Sequence, residues 1–173
     1  MDTFFEQIVE IRKTGLDWLK LGGIWALALL LIAVLFFLGL NFPGFMSILV
    51  LLIIGVVYGA FWLSKRLSVE YEYIVTNGTL DIDKIIARSS RKRELSLELS
   101  AVERVEKFNP AAAPVGNFKK QVMACNGDDP GAYFLVVNEE GKGSRLLIFA
   151  PDERIKSAAV KSMPKFVANS AFK

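Results

Sequence analysis

The chain lacks histidine altogether and has one cysteine, Cys125, among 173 residues. Without histidine there is no His-based catalytic triad, no imidazole general base and no imidazole metal ligand. With one cysteine no disulfide can form within the chain, which suits a reducing cytoplasmic location. Cys125 also has no imidazole to activate it and falls in an expected strand, so it reads as a small core residue. A large charge imbalance is missing as well. The 21 Lys and Arg against 18 Asp and Glu give a net charge of +3, too small for a nucleic-acid-binding surface. No catalytic motif and no cofactor is expected. Asp81 and Asp83 lie two apart on one face of an expected strand and could hold Mg²⁺ or Ca²⁺, but a solvated hairpin face explains them more simply. Asp128-Asp129 and Glu139-Glu140 fall in turns and read as solvation.

A third absence is the most informative. Residues 21–64 contain no Asp, Glu, Lys or Arg. A helix crosses the hydrocarbon core with roughly 20 apolar residues, so the stretch is long enough to cross twice. Asn41-Phe42-Pro43-Gly44 in its middle favours a turn. Together these predict a transmembrane helical hairpin over 21–66, with spans at about 21–40 and 45–64. A cleaved signal peptide is not expected, because its apolar core runs only about 7 to 15 residues after a short basic stretch. Arg12, Lys13 and Lys20 precede the first span, Lys65 and Arg66 follow the second, and the connecting turn is uncharged. Basic residues favour the cytoplasmic side, so a multi-pass protein of the inner membrane with both termini cytoplasmic is expected, flanked by Lys20, Lys65 and Arg66. Gly55 and Gly59 form a G-x-x-x-G spacing that lets another helix backbone approach. The partner would be the first span of the same hairpin or a second molecule, which leaves a homo-oligomer open.

Around the hairpin the pattern changes. Asp2, Glu6, Glu10, Lys13, Asp17 and Lys20 recur at intervals of three and four, with Phe4, Phe5, Ile8, Val9, Leu16 and Leu19 on the other side. This predicts an amphipathic helix over residues 1–20, lying at the membrane interface, packing on the soluble domain or extending the first span. Gly22-Gly23 offers a bend between this helix and the span. From Ser68 onward the period is two. Val69, Tyr71, Tyr73 and Val75 alternate with polar residues and lead into Asn77-Gly78, a two-residue hairpin signal. Leu80 and Ile82 continue a returning strand to about residue 86. Residues 88–93 read as a basic turn, and Leu95, Leu97 and Leu99 as a third strand. Residues 101–108 fit a short strand or a helical turn. Further strands are expected at 121–125, 133–138 and 144–149, with a loop over 109–118. A helix starts near Pro151-Asp152-Glu153, buries Ile155, Ala159 and Ser162/Met163, and ends or kinks at Pro164.

The expected fold is thus an α+β membrane protein: an amphipathic helix, the hairpin, then at 67–173 a small antiparallel barrel or sandwich of six or seven strands with a C-terminal helix. Two stretches carry a resemblance. They are Tyr71-Glu72-Tyr73-Ile74-Val75-Thr76-Asn77-Gly78-Thr79-Leu80-Asp81-Ile82 and Leu97-Glu98-Leu99-Ser100-Ala101-Val102-Glu103-Arg104-Val105. Across residues 68–168 the chain resembles the bacterial pleckstrin-homology-like (PH-like) domains found on membrane proteins of unknown function. The resemblance implies a non-enzymatic module that scaffolds a protein partner at the cytoplasmic face. Phosphoinositide-binding relatives carry basic residues on a longer loop between their first two strands; here that loop is expected to be the tight Asn77-Gly78 turn.

Arg88, Arg91, Lys92 and Arg93 are the surface candidates. If close to the bilayer, each would be drawn to anionic lipid by about 1 kcal/mol, within a screening length of about 8 Å. A solvated basic turn balanced by Glu94 and Glu98 is the competing explanation. Arg66 is followed almost at once by Val69, about 10 Å at most along an extended chain, so the domain is expected to sit on the membrane. A third reading, an enzyme or transport accessory subunit using the carboxylates, has no motif behind it.

Overall fold

The computed structural model describes residues 4–112, 114, 116–139 and 141–172. It divides into two compact units: residues 12–68, and a second that joins the segment up to Ile11 with everything from Val69 onward. The first unit is the hairpin. Helix α1 spans Gly15–Asn41, a 3-10 turn covers Pro43–Phe45, and α2 spans Met46–Lys65. Thr14 caps α1 reciprocally with Asp17: Asp17 N donates to Thr14 Oγ1 (3.4 Å) and Thr14 N to Asp17 Oδ2 (3.0 Å), satisfying two of the first-turn donors. Both helices are long and apolar enough to cross a membrane, with mean hydropathies of 2.7 and 2.4 and 6% of each apolar window buried. A core helix of a soluble protein with such hydropathy would bury its surface; these helices leave theirs open, as lipid-facing helices do. At Gly39 the helices come close, since an added Cβ would meet Leu49 Cδ1 at 3.3 Å and Met46 Sδ at 3.4 Å.

The second unit holds two four-stranded sheets. The first has the order β1-β2-β3-β4, from Phe4–Glu10, Val69–Thr76, Thr79–Ile86 and Ser90–Glu98. The second has the order β5-β7-β8-β6, where β5 is Val102–Lys107, β6 Lys120–Met123, β7 Tyr133–Glu139 and β8 Gly143–Phe149. All pairings are antiparallel except β6 with β8. Helix α3 (Glu153–Ser162) and the short α4 (Lys165–Ala168) follow. The inner faces of both sheets share one core. Tyr73, Val75, Leu80, Ile82, Leu95 and Leu97 from the first pack with Val105, Leu135, Val137, Leu147 and Phe149 from the second. Ile155, Ala158 and Ala159 of α3 join the same core. Tyr73 donates from its hydroxyl to Ala124 O at 2.7 Å and accepts from Ala150 N at 3.3 Å, so a polar tip is satisfied where it is buried. The arrangement is an α+β sandwich, not a closed barrel.

Three expectations are corrected. Residues 1–20 do not form one amphipathic helix: Phe4–Glu10 is a strand, paired antiparallel with β2 from Phe4↔Thr76 to Glu10↔Glu70. Seven residues satisfy both periods, since Phe5 and Val9 also alternate with Glu6, Ile8 and Glu10, and the ladder to β2 settles the choice. The domain starting at residue 67 therefore lacks its first strand, and the hairpin is an insertion between β1 and β2. The strand count is eight among the described residues, because β1 was not anticipated. Third, 88–93 is not a turn. Strand β4 begins at Ser90, and the reversal is confined to Ala87, Arg88 and Ser89, the first two at φ +55°. Residues 101–108, read as strand or helical turn, are mostly strand β5, and a 3-10 turn at Leu99–Ala101 comes just before it.

Candidate interaction surface

The inner face of the first sheet is apolar, and strand alternation places a charged array on its outer face. Glu6 and Glu10 of β1, Glu70 and Glu72 of β2, Asp81 and Asp83 of β3, and Arg91 and Arg93 of β4 share that face by register. The β3–β4 turn adds Arg88. Each arginine is engaged. Arg88 Nε lies 2.6 Å from Glu70 Oε1 and its Nη2 contacts Glu10. Arg91 Nη2 is 2.6 Å from Glu72 Oε2 and 2.8 Å from Oε1. Arg93 reaches Asp81 Oδ2 at 2.8 Å and Asp83 Oδ1 at 2.9 Å. The carboxylates of Glu70, Glu72 and Asp83 are buried beneath arginines that stay half exposed. A buried carboxylate requires such partners, because desolvation otherwise disfavours its charge.

Glu72 is the extreme case, at 1% exposure. Burial raises its pKa above the usual carboxylate value; Arg91 opposes this, while the charges of Glu6 and Asp83 add to it. Arg88 and Arg93 have their pKa values raised, in both cases first by the hydrogen bond to a carboxylate. Of the four basic candidates, Arg88, Arg91 and Arg93 are thus tied into ion pairs of the domain itself. Lys92 stands at a register position on the opposite face, across from Lys84. Asp81 and Asp83 both face Arg93, which takes the place a cation would have. The hydrophobic-to-charged alternation of β2 was visible in the sequence. That Glu70 and Glu72 sink beneath arginines some 20 positions later depends on register, and no local signal marked it.

The other candidates belong to the hairpin unit. Lys65 Nζ lies 4.6 Å from the centroid of the Phe61 ring and Arg66 Cζ lies 3.7 Å from that of Trp62. Lys20 is 3.9 Å from Asp17. A Cβ added at Gly55 or Gly59 would meet nothing within 4 Å, so the two glycines are not needed for the contact of α1 with α2. Cys125 is buried, and its thiol is pushed up to about 11 by burial, with a further contribution from Asp129.

The edges of the first sheet differ. In the second half of β4, outward backbone groups at 94, 96 and 98 are taken by side chains of the second sheet. Lys120 Nζ donates to Glu94 O, Arg145 Nη1 to Ser96 O at 2.8 Å, and Glu98 N donates to Glu139 Oε1 at 3.0 Å. Burial works to raise the Glu139 pKa, but Lys142, the Glu98 N–H and Arg145 outweigh it and hold the carboxyl below the usual range. At β1, among the described residues, the backbone groups of Phe4, Glu6 and Ile8 that point away from β2 have no partner.

The model of the Bacterial PH-like domain family (DUF6106) matches residues 1–169, the hairpin and β1 included. The chain belongs to that family. No curated protein and no solved structure matches it. Within this PH-like domain the Asn77-Gly78 turn joins the second and third strands, not the first and second. The first two strands are connected by the hairpin.

Proposed function

We propose that the protein is a non-enzymatic PH-like module, anchored in the cytoplasmic membrane of a bacterium, that holds a protein partner at the inner leaflet. One observation carries the reading: β1, which precedes the hairpin, pairs along its whole length with β2, which follows it. Strands of one sheet must lie on one side of a bilayer, so the two apolar helices cross it as an out-and-back pair. Arg12, Lys13, Lys65 and Arg66 at the two chain crossings favour the cytoplasmic side. The domain is tied to the membrane twice, through residues 12–14 and through residues 66–68, and needs no lipid headgroup for recruitment. The ion-paired state of Arg88, Arg91 and Arg93 weighs against the alternative, an anionic-lipid sensor built on 88–93, since binding phosphate would mean giving up buried carboxylates. With its role narrowed to holding something in place, protein capture is the use that fits a module carrying exposed backbone at one sheet edge.

The test is crosslinking of the intact chain in bacterial membranes, followed by isolation through a C-terminal tag. A reproducible protein adduct mapped to the 69–172 unit is expected. Repeated recovery of the chain alone, or adducts confined to the apolar helices, would refute the reading.

A further inference from the structure

We propose that the free edge of β1 docks an extended, basic segment of the partner protein, which adds to the first sheet as a fifth strand. This rests on the partner-capture reading above and names the surface and the chemistry of capture.

The geometry begins with one bond. Ile11 N donates to Val69 O at 3.1 Å. In an antiparallel ladder, bonded and non-bonded pairs alternate, so Val9, Gln7 and Phe5 bond to Tyr71, Tyr73 and Val75 in the same register. The backbone groups of Phe4, Glu6, Ile8 and Glu10 consequently point away from β2. Glu10 O accepts from Asn126 Nδ2 at 3.3 Å, which agrees with that assignment. The N–H and C=O of Phe4, Glu6 and Ile8 have no partner on that side among the described residues. Three consecutive outward positions form an edge on which a strand can add. At β4, by contrast, the outward positions 94, 96 and 98 are each occupied by a side chain.

Side chains select what adds there. The same four residues present their side chains on the outer face, where Phe4 is 61% and Ile8 52% exposed. Glu6 and Glu10 alternate with them. Arg88 serves Glu10 and Glu70 together, and the group facing Glu6 is the carboxyl of Glu72. An incoming Lys or Arg beside Glu6 would meet an exposed carboxyl with no ion-pair partner among the described residues, since Arg91 is engaged with the buried Glu72. Cross-strand neighbours of opposite charge favour pairing and like charges oppose it. A second copy of this chain is disfavoured on the same ground, since antiparallel β1 strands would gather Glu6 and Glu10 of both copies on one face. The edge therefore repels itself and suits a segment with basic residues at alternate positions and apolar ones among them.

The experiment uses the full chain in detergent micelles and three fluorescent nine-residue peptides. One has Lys and Val at alternate positions, one has Glu in place of Lys, and one is the Lys peptide with its backbone N-methylated, which keeps the charge and removes the donors. Anisotropy titration is expected to show salt-sensitive binding of the Lys peptide, with the other two weaker by about tenfold or more. Ile8→Pro removes an outward donor without touching the β1–β2 ladder and is expected to weaken the Lys peptide by about tenfold. Glu6→Lys, a change at an exposed position, is expected to reverse the preference between Lys and Glu peptides and serves if the proline variant does not fold. Equal binding of the Lys peptide and its N-methylated form would overturn the proposal, as would indifference to Glu6→Lys. So would a concentration-dependent dimer of the chain that Ile8→Pro abolishes, which would give the edge to a second copy. Crosslinked partners that map to another surface while the peptides fail would sink this inference and leave partner capture standing; peptide binding without any partner in cells would do the reverse.

Discussion

Replacing Arg91 with Ala should destabilise the domain by exposing a conflict that the arginine now resolves. Glu72 is 1% exposed, whereas the Arg91 side chain is 55% exposed. Removing one partner of a fully buried pair costs roughly 3–5 kcal/mol, and an exposed pair contributes about 0–1 kcal/mol. With one partner buried and the other half solvated, Arg91→Ala should cost about 2 kcal/mol, or roughly 30-fold in the folding equilibrium. Glu72→Gln removes the charge and leaves a solvated arginine, so it should cost under about 1 kcal/mol. The double variant should then resemble Glu72→Gln alone, a coupling of about 2 kcal/mol, equal to the whole cost of Arg91→Ala. The effect has a sign in pH. Because the folded-state pKa of Glu72 is raised, first by burial, the folded state holds that proton more tightly than the unfolded chain does. Its ionisation therefore lowers stability as pH rises from the unfolded value through the folded one. Loss of Arg91 raises the folded pKa further, so the deficit of the variant should be largest near neutrality and shrink on acidification. Cys125 supplies the assay. It is the only thiol in the chain, 4% exposed and pushed up to about 11 by burial, so pulsed maleimide labelling of the full chain across a urea gradient reports opening of the domain. A deficit below about 0.5 kcal/mol at pH 7, one that does not change with pH, or no rescue by Glu72→Gln would refute the reasoning.

Further outcomes can be checked the same way. Tyr73→Phe leaves Ala124 O and Ala150 N without their shared hydroxyl and should cost about 1–3 kcal/mol in the same urea titration. Ala87→Gly relieves a left-handed residue at φ +55° and should stabilise the domain by about 1 kcal/mol; a destabilised variant would show that the turn is held by something other than its backbone. Gly55→Ala and Gly59→Ala meet open space within the hairpin, so each should leave its helicity intact or raise it, gaining up to about 1 kcal/mol. Light scattering of the same variants checks the dimer reading: if the full chain self-associates through that helix face, the added methyls should weaken it, and unchanged association places the contact elsewhere.

The hairpin was legible because its signal is local and additive. Residues 21–64 need only be read for charge, and no distant part of the chain can alter the cost of placing them in water. The Asn77-Gly78 turn was legible for a similar reason: Asn77 at φ 46° and Gly78 at φ 87° take the left-handed conformations which those residues tolerate best. The N-terminal strand was not. Its seven residues fit a helical and an extended period alike, and its partner begins at Val69, beyond both apolar helices. The basic group was visible as composition but misplaced as a turn, because charge runs say nothing of which carboxylates lie opposite.

What the sequence determined by itself was the hairpin of two helices apolar and long enough to cross a membrane, the period-two domain after it and the family likeness, all consequences of patterns read within a few turns or strands. The tertiary structure decided that the hairpin interrupts the domain, that Arg88, Arg91 and Arg93 cover buried carboxylates, and that side chains cover β4 at 94, 96 and 98 while positions 4, 6 and 8 of β1 have no outward partner among the described residues. Those facts depend on register between strands far apart in the chain. A one-residue slip would turn every one of these side chains to the other face.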